Sequence, residues 1–369
     1  MNILGIETSC DETAASVIKF NTKTKKITVL SNIVSSQIEI HKKYGGVVPE
    51  VAAREHVLNI LPVIDEALTQ AKLSHKKIDL IGVTKGPGLV TSLITGVETV
   101  RTLAYAWNKP IIEINHIDGH IYSNFINPTS KIKFPAVILT VSGGHTILLN
   151  MDKNKKIKIL GETRDDAAGE AYDKAAKMLN MGYPGGPIIS QYAAQYQNTL
   201  NKDNTDAKDN IDASNKNNSS TKKNKYPAIV LPRPMINSTN FDFSFSGLKT
   251  ALLYQLQKDS NWKKRVPEYC FHFQQAIIDI LISKTLKAAK KFKAETVMLS
   301  GGVSANNELR AQMTDAIKEQ LPKINFLIPD KKYTTDNAVM IVAAAAHKAI
   351  QHKPITFKQL KVDASLQLK

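Results

Sequence analysis

Two histidines spaced four residues apart could together hold a metal ion. His116 and His120 follow an apolar run, residues 110–114, which predicts a buried strand. On a helix, residues i and i+4 lie on the same face, so both imidazoles can reach one cation. The carboxyl ends of strands are also where open α/β sheets bind ligands. The spacing therefore predicts a metal site at a sheet edge, while two polar residues on an exposed helical turn are the alternative.

The histidine pair lacks the general base of a zinc protease. In a His-Glu-x-x-His site a glutamate follows the first histidine, but here that position is Ile117. A metal would need a third ligand from elsewhere, and Asp336 is the best candidate. Asp336 also precedes an apolar helix and could be its N-cap, so both interpretations stay open. Two imidazoles and one carboxylate with open positions favour Fe²⁺, with Zn²⁺ as the second choice.

Length and composition limit the class of protein. The chain has 369 residues, enough for two domains or one duplicated fold. It contains no apolar run of about 18 residues, so no transmembrane helix is predicted. A strand is predicted from Asn2 onward, and no signal peptide is expected before it. Only Cys10 and Cys270 are present, which argues against a disulfide framework. We therefore expect a cytoplasmic protein without a membrane anchor.

The charge balance favours a polyanionic partner. The formal net charge is +16, and basic residues are concentrated between residues 258 and 293. A basic surface of this kind can follow a phosphate backbone. A general bias of the composition towards lysine is the alternative.

The same order of predicted elements occurs twice along the chain. Each half begins with three strands and continues with alternating helices and strands, which predicts a duplicated α/β fold with a cleft between two lobes. The predicted strands are 2–8, 13–20, 27–34, 78–84, 110–115, 135–141, 145–150, 157–160, 296–300 and 324–328. The predicted helices, besides the one that carries the histidines, are 49–71, 91–107, 168–180, 246–257, 268–292, 305–320 and 337–351.

The predicted lobes are residues 1–131 and 132–369. One segment of the second lobe, residues 198–225, consists almost entirely of Asn, Lys, Asp, Ser and Thr. Such a segment has too few apolar residues to contribute to a core. We predict that it is a disordered surface insertion.

Several turns carry glycines together with hydroxyl or carboxylate side chains. Such turns let backbone N–H groups approach an anion, and those that begin a helix add its N-terminus. None matches the P-loop or the Gly-x-Gly-x-x-Gly fingerprint. Their number in a duplicated α/β chain nevertheless predicts a nucleotide cleft. The turns are 7–13, which carries the adjacent carboxylates of Asp11 and Glu12, 141–146, 183–187 and 299–307.

These motifs, taken in order, resemble one family closely. The chain is similar to the TsaD/Kae/Qri (YgjD) family of tRNA N6-adenosine threonylcarbamoyltransferases, within the ASKHA superfamily of actin-like folds. The resemblance runs from Asn2 to about His347, apart from the predicted insertion. The segments that carry it are 5–13, 45–56, 85–89, 115–120, 141–146, 165–173, 183–187, 244–249 and 300–306.

The resemblance implies a reaction and a set of site residues. The reaction is the transfer of a threonylcarbamoyl group from threonylcarbamoyl-AMP to N6 of adenosine 37, in tRNAs reading codons that begin with A. The implied metal ligands are His116, His120 and Asp336. Asp11 and Glu12 are expected to accept a proton or order a water. The implied substrate contacts lie in the second half: Thr140, Val141, Ser142, Gly143, Gly144, Asp173, Gly186, Ser190 and Asn306.

The resemblance also implies partners. These are the anticodon loop of tRNA, a paralogous ASKHA subunit (TsaB-like) and a small ATPase (TsaE-like), the two proteins being expected for a bacterial type of member. Two other enzyme classes remain as alternatives: an ATPase or sugar kinase with the same fold, and a metalloprotease, against which the missing glutamate argues. A non-catalytic scaffold is a third alternative, against which the three metal-ligand positions argue.

Overall fold

The computed structural model describes residues 1–209 and 227–368. These residues form ten strands and ten α-helices. The strands are β1 (Asn2–Glu7), β2 (Glu12–Phe20), β3 (Ile27–Ser36), β4 (Leu80–Gly86), β5 (Ile111–Asn115), β6 (Ala136–Val141), β7 (Thr146–Met151), β8 (Ile157–Glu162), β9 (Thr296–Ser300) and β10 (Asn325–Leu327). The helices are α1 (Ile38–His41), α2 (Pro49–Gln70), α3 (Val90–Trp107), α4 (His116–Tyr122), α5 (Ala168–Met178), α6 (Gly185–Asp209), α7 (Ser246–Lys258), α8 (Val266–Lys291), α9 (Asn307–Gln320) and α10 (Ala338–Lys348).

The strands form two five-stranded sheets with the same topology. The first sheet has the order β3-β2-β1-β4-β5, and the second has β8-β7-β6-β9-β10. In each sheet the first three strands are antiparallel and the last two are added parallel to the first. The predicted duplicated α/β fold is therefore confirmed at the level of strand order.

Helices α4 and α10 form a layer between the two sheets. α10 packs on the first sheet, and α4 contacts strands of both sheets. α10 is made almost entirely of Ala, Val, Ile and Met because it is covered on every side. It approaches the first sheet closely: a Cβ on Gly5 would lie 2.7 Å from Val342 Cβ, and one on Gly82 the same distance from Ala345 Cβ. These two glycines let a helix lie directly against strands β1 and β4.

The last part of the chain returns to the first lobe. Besides α10, the segment 353–368 runs along the first lobe, where Ile355 pairs with Ile111 at the edge of the sheet and Leu360 is fully buried. Residues 338–368, assigned to the second half from the order of elements, therefore pack on the first sheet. The pattern of helices and strands could not show this, because it carries no information about which sheet a helix covers.

The predicted insertion is only partly described. Helix α6 continues to Asp209, so the backbone of residues 198–209 is helical although its composition predicts disorder. The helix buries Ile189 and Ala193 in its first turns, and propagation from an established helix costs less than a new start. Residues 210–226 lie outside the described residues. None of the helices in the described part of the chain combines the length and apolar character needed to cross a bilayer.

Candidate metal and nucleotide site

Helix α4 presents both histidines towards one carboxylate. His116 is its first residue, and the two imidazole centroids lie 4.7 Å apart. Asp336 Oδ1 lies 3.2 Å from His120 Nε2 and 3.6 Å from His116 Nε2. One ligand atom from each of the three residues lies within 4.8 Å of the other two. The structure therefore brings together the three side chains that the sequence singled out as metal ligands.

Asp336 is not a helix cap. Helix α10 is capped by the next residue, Asn337, whose side chain accepts a hydrogen bond from Met340 N at 3.1 Å. The N-cap interpretation of Asp336 is thus wrong, and its carboxylate is left to face the imidazoles. Sequence could not distinguish the two neighbours because Asp and Asn cap helices about equally well.

The donor set fits a divalent cation. His120 is fully buried, and although its Nε2 lies near Asp336, neither ring nitrogen makes a hydrogen bond of acceptable geometry among the described residues. A buried polar atom without a partner is costly, and a cation on Nε2 would supply one. His116 has its Nδ1 3.0 Å from Ser9 Oγ, which leaves Nε2 for a cation. Orientation of a ligand histidine through its second nitrogen is typical of metal sites.

Glu7 is a buried carboxylate behind His116 that the sequence reasoning missed. It accepts hydrogen bonds from Ser9 N at 2.5 Å and Thr84 Oγ1 at 2.7 Å, and its Oε2 lies 3.3 Å from His116 Nδ1. Burial alone would raise the pKa of Glu7, but the charge and hydrogen bond of His116 hold it below the ordinary value. A charged residue at the end of the apolar run 3–6 was the available signal.

The site charges reinforce one another. Burial alone would lower the pKa of His116, but the carboxylates of Asp336 and Glu7 outweigh it and raise that pKa to about 9. Burial acts to raise the pKa of Asp336, yet the two histidines hold it far below its usual range. The cluster is therefore an electrostatically matched set of two imidazoles and two carboxylates.

Asp11 lies in the turn between β1 and β2, and Glu12 is the first residue of β2; the charges of Asp11 and Asp336 both act on Glu12. Burial and the neighbouring charge of Asp11 raise the pKa of Glu12 well above its ordinary value. Tyr183, from the turn before α6, faces them from the second lobe: burial, and then the charge of Asp11, raise its pKa. A carboxyl pair in which one member favours its protonated form can hold or accept a proton.

The turn between β6 and β7, residues Ser142–His145, is open. Two of its carbonyls accept hydrogen bonds from the start of α5: Ser142 O from Gly169 N and Gly143 O from Glu170 N. The N–H groups of Gly143 and Gly144 donate to no acceptor among the described residues, and a Cβ on either glycine would meet nothing within 4 Å. Backbone donors that are fixed in place and free of partners can bind an anion.

This open turn reaches the histidine cluster. His145 closes it, and its ring centroid lies 6.4 Å from that of His116. Burial, with the two histidines of α4, lowers the pKa of His145 to about 4. His145 was quoted in the sequence motif without a role, and it joins the second lobe to the candidate metal site.

The remaining predicted contact residues lie on elements of the second lobe. Thr140 Oγ1 is 3.0 Å from Ser300 Oγ, across β6 and β9, and Val141 follows it at the end of β6. Asp173 Oδ1 accepts a hydrogen bond from Gly185 N at 2.7 Å, and burial raises the pKa of Asp173 to about 6. Gly186 lies in the first turn of α6.

Asn306 joins three helices. Its side chain caps α9 by accepting from Leu309 N at 2.9 Å. Its amide donates to Gln274 Oε1 on α8 at 2.7 Å and lies 3.4 Å from Ser190 Oγ on α6. Asn306 and Ser190 are thus brought together, while Gln274 was not anticipated.

Comparisons with known proteins indicate one family. A family model described as "TsaD: tRNA N6-adenosine threonylcarbamoyltransferase" matches residues 28–343. A protein of that name from Syntrophomonas wolfei is 46% identical over 346 residues, which cover 94% of this chain and 91% of the relative. Another from Thermosipho melanesiensis is 46% identical over 93% of this chain and 94% of the relative.

A solved structure supports the fold alone. The structure of T. kodakarensis HypF matches 95% of this chain and 47% of its own, with a TM-score of 0.52 and 13% sequence identity. The duplicated actin-like architecture of ASKHA proteins is consistent with the two equivalent sheets. The family model and the curated relatives show that the chain belongs to the TsaD family of tRNA N6-adenosine threonylcarbamoyltransferases.

Proposed function

We propose that the chain moves the threonylcarbamoyl group of threonylcarbamoyl-AMP to N6 of adenosine 37, in tRNAs reading codons that begin with A. The observation that carries this proposal is the contact between the two halves of the site. An open glycine turn, suited to a phosphate, meets a buried cluster of metal donors through His145 and His116. Phosphate binding and carbonyl activation can therefore occur side by side.

The second lobe would hold the adenylate. The free N–H groups of Gly143 and Gly144 would donate to the phosphate that leaves with AMP. Asp173 lies beside the first turn of α6, where its carboxyl group could accept from ribose hydroxyls. Thr140, Val141, Ser142, Gly186, Ser190 and Asn306 would complete the adenylate pocket.

The first lobe would hold a divalent cation through His116, His120 and Asp336. Two imidazoles and one carboxylate favour Fe²⁺, and Zn²⁺ also accepts this set. Such a cation, when bound, would act as a Lewis acid towards the carbamoyl oxygen or the phosphate. Glu7 and Ser9 would keep His116 in the orientation that leaves Nε2 for the cation.

Transfer requires that one bond forms and one breaks. N6 of the adenine attacks the carbamoyl carbon, the bond from that carbon to the phosphate oxygen breaks, and AMP departs. The proton lost from N6 would pass to the Asp11–Glu12 carboxyl pair, directly or through a water. The base must be unpaired to reach the site, and the anticodon loop supplies unpaired bases.

We further propose protein partners and a compartment. Helix α2 exposes Val57, Leu58 and Leu61, each more than half exposed. An apolar face of this kind suits a protein partner, and a TsaB-like paralogous subunit together with a TsaE-like ATPase is the proposed set. A tRNA substrate implies that the enzyme works in the cytoplasm.

The test is transfer from synthetic threonylcarbamoyl-AMP to unmodified tRNA, read by mass analysis of the tRNA nucleosides. Wild type should form the modified adenosine, and Asp336→Asn should not. The variant should still fold because Asn337 retains the cap of α10, although loss of the charge beside His116 should lower its thermal midpoint. The matched control is Asp330→Asn, which removes an exposed carboxylate from the same segment. Wild-type yield from Asp336→Asn would contradict the proposed site, and sugar-dependent ADP release without tRNA modification would favour the kinase alternative.

A further inference from the structure

The segment that follows α10 reaches the back of the histidine cluster. After the pairing of Ile355 with Ile111, the chain continues along the first lobe, where Arg101 donates to Leu360 O. Residues 363–366 then cross the turn between β4 and α3. This turn, Lys85–Leu89, belongs to the motifs quoted from the sequence but has no role in the proposed reaction.

Residues 363 and 364 make backbone hydrogen bonds to that turn, one before and one after its Pro87. Asp363 N donates to Lys85 O at 2.9 Å, and Gly88 N donates to Ala364 O at 3.3 Å. The approach is too close for any side chain: a Cβ on Gly86, whose φ is +154°, would lie 1.7 Å from Asp363 O. The segment and the turn therefore form one fitted unit.

The Lys85–Leu89 turn also holds Ser9 in place. Leu89 N donates to Ser9 O at 2.8 Å, and a Cβ on Gly88 would lie 2.5 Å from the same oxygen. Ser9 is the residue whose Oγ lies 3.0 Å from His116 Nδ1. A continuous chain of contacts thus runs from residue 364 to the ring of His116.

A second connection reaches helix α4 directly. Leu366 O accepts a hydrogen bond from Asn115 Nδ2 at 3.4 Å. Asn115 is the N-cap of α4, because its Oδ1 accepts from Ile117 N at 2.8 Å. The start of α4 fixes where His116 lies, so both connections end at the same candidate ligand.

We propose that residues 363–366 form a positioning strap for the cation site. The strap touches neither substrate nor cation, and it acts by fixing Ser9 and the cap of α4 from the outer side. Outer contacts that orient a ligand histidine change metal affinity by roughly 10–100-fold when removed. This inference rests on the proposed role of His116, His120 and Asp336 as cation ligands.

The experiment measures Co²⁺ binding by its visible absorption, with affinity obtained by competition against a chelator. Two variants loosen the strap: deletion of residues 363–369, and Gly86→Ala, whose methyl group displaces Asp363. The control is Leu360→Ala, which removes a buried side chain of the same segment but leaves the contacts of 363–366. Thermal midpoints are recorded for all of them without metal.

We expect both strap variants to bind Co²⁺ at least about tenfold more weakly than wild type, with an altered absorption spectrum. Leu360→Ala should keep wild-type affinity and spectrum even if its midpoint falls further. Wild-type affinity in Gly86→Ala, or an equal loss in Leu360→Ala, would overturn the strap, and Gly86→Ala decides the matter if the deletion does not fold. Failure of the proposed cation site would give a different result from failure of the strap, because wild type and His120→Ala would then bind Co²⁺ with equal affinity.

Discussion

The first hairpins of the two lobes occupy equivalent positions and are built in opposite ways. In the first lobe, six residues, 8–13, separate the paired Glu7 and Ala14, and the turn is filled by buried polar side chains. In the second, four residues, 142–145, separate Val141 and Thr146, and the glycines leave open space. In the proposed function, the duplicated element orients a cation ligand in one lobe and binds substrate in the other.

The comparison also explains why the site needs both lobes. Glu7, at the end of β1, and Ser9, in the filled turn, both face His116. The open turn supplies free N–H groups but, apart from His145, no ionisable side chain. Phosphate binding and cation orientation require different packing, and duplication allows each lobe to adopt one of them.

The largest expected effect is on the cluster that the filled turn supports. His120→Ala should reduce cation affinity by more than the roughly 10–100-fold typical of outer contacts, because a direct ligand is lost, and transfer should become undetectable. The control is His347→Ala. His347 is also buried and makes no hydrogen bond with the described residues, but it lies at the C-terminal end of α10, far from Asp336. Isothermal titration and tRNA nucleoside analysis measure the two effects, and equal losses in both variants would refute a specific site.

A smaller effect is expected when Glu7, which lies directly before the filled turn, loses its charge. Glu7→Gln keeps the shape of the side chain but removes the carboxylate beside His116, so cation affinity should fall about 10–100-fold. The matched control is Glu113→Gln. Glu113 lies on β5, and its carboxylate pairs with Lys85 of β4. If Glu7→Gln keeps wild-type affinity, the first turn does not orient the ligand and the contrast between the hairpins fails.

A change in the open turn should separate substrate binding from cation binding. A side chain on Gly144 meets nothing within 4 Å, so Gly144→Val should change the free energy of unfolding by no more than about 0.5 kcal/mol. The added methyl groups would stand where the phosphate approaches, and we expect KM for threonylcarbamoyl-AMP to rise about tenfold, a loss of about 1.4 kcal/mol in binding. Cation affinity should not change, and a parallel loss of it would show that the turns are not independent.

The smallest expected effect concerns Asp173 and depends on pH. Its pKa is raised to about 6 by burial, so the folded state binds more protons than the unfolded state between about pH 4 and pH 6. Its contribution to stability is therefore fully present below pH 4 and is lost as the pH rises through 6. Asp173→Asn should raise the free energy of unfolding by on the order of 1 kcal/mol at pH 7.5 and leave it unchanged at pH 4. Urea titrations at both pH values measure this, and an equal gain at both would mean that titration is not the cause.

Local patterns in the sequence were sufficient for the strands, for most of the described helices and for the pair of histidines, but α1 and α6 are absent from the predicted helices. Short apolar runs predicted the strands of both sheets, and the i, i+4 spacing placed His116 and His120 on one helical face. These features depend on neighbours within about one helical turn. Asp336 could be proposed as a ligand, but its freedom from capping depends on Asn337, which only the structure shows.

Features that depend on distant packing could not be predicted. The burial of Glu7 is created by α4, and its contact with His116 joins residues 109 positions apart. The contact of Asn115 with Leu366 spans 251 positions. No periodicity encodes such pairs, because they arise only when the two sheets close over the helices between them.

The position of α10 has a consequence for the synthesis of the chain. The face of the first sheet that carries Gly5 and Gly82 is covered by residues 338–348, which leave the ribosome long after the sheet itself. Until then that apolar face has no native cover, and the nascent first lobe exposes the kind of surface that chaperones bind. The first lobe can therefore complete its fold only near the end of translation, so a message truncated before residue 338 would yield a polypeptide whose earliest strands are left unprotected.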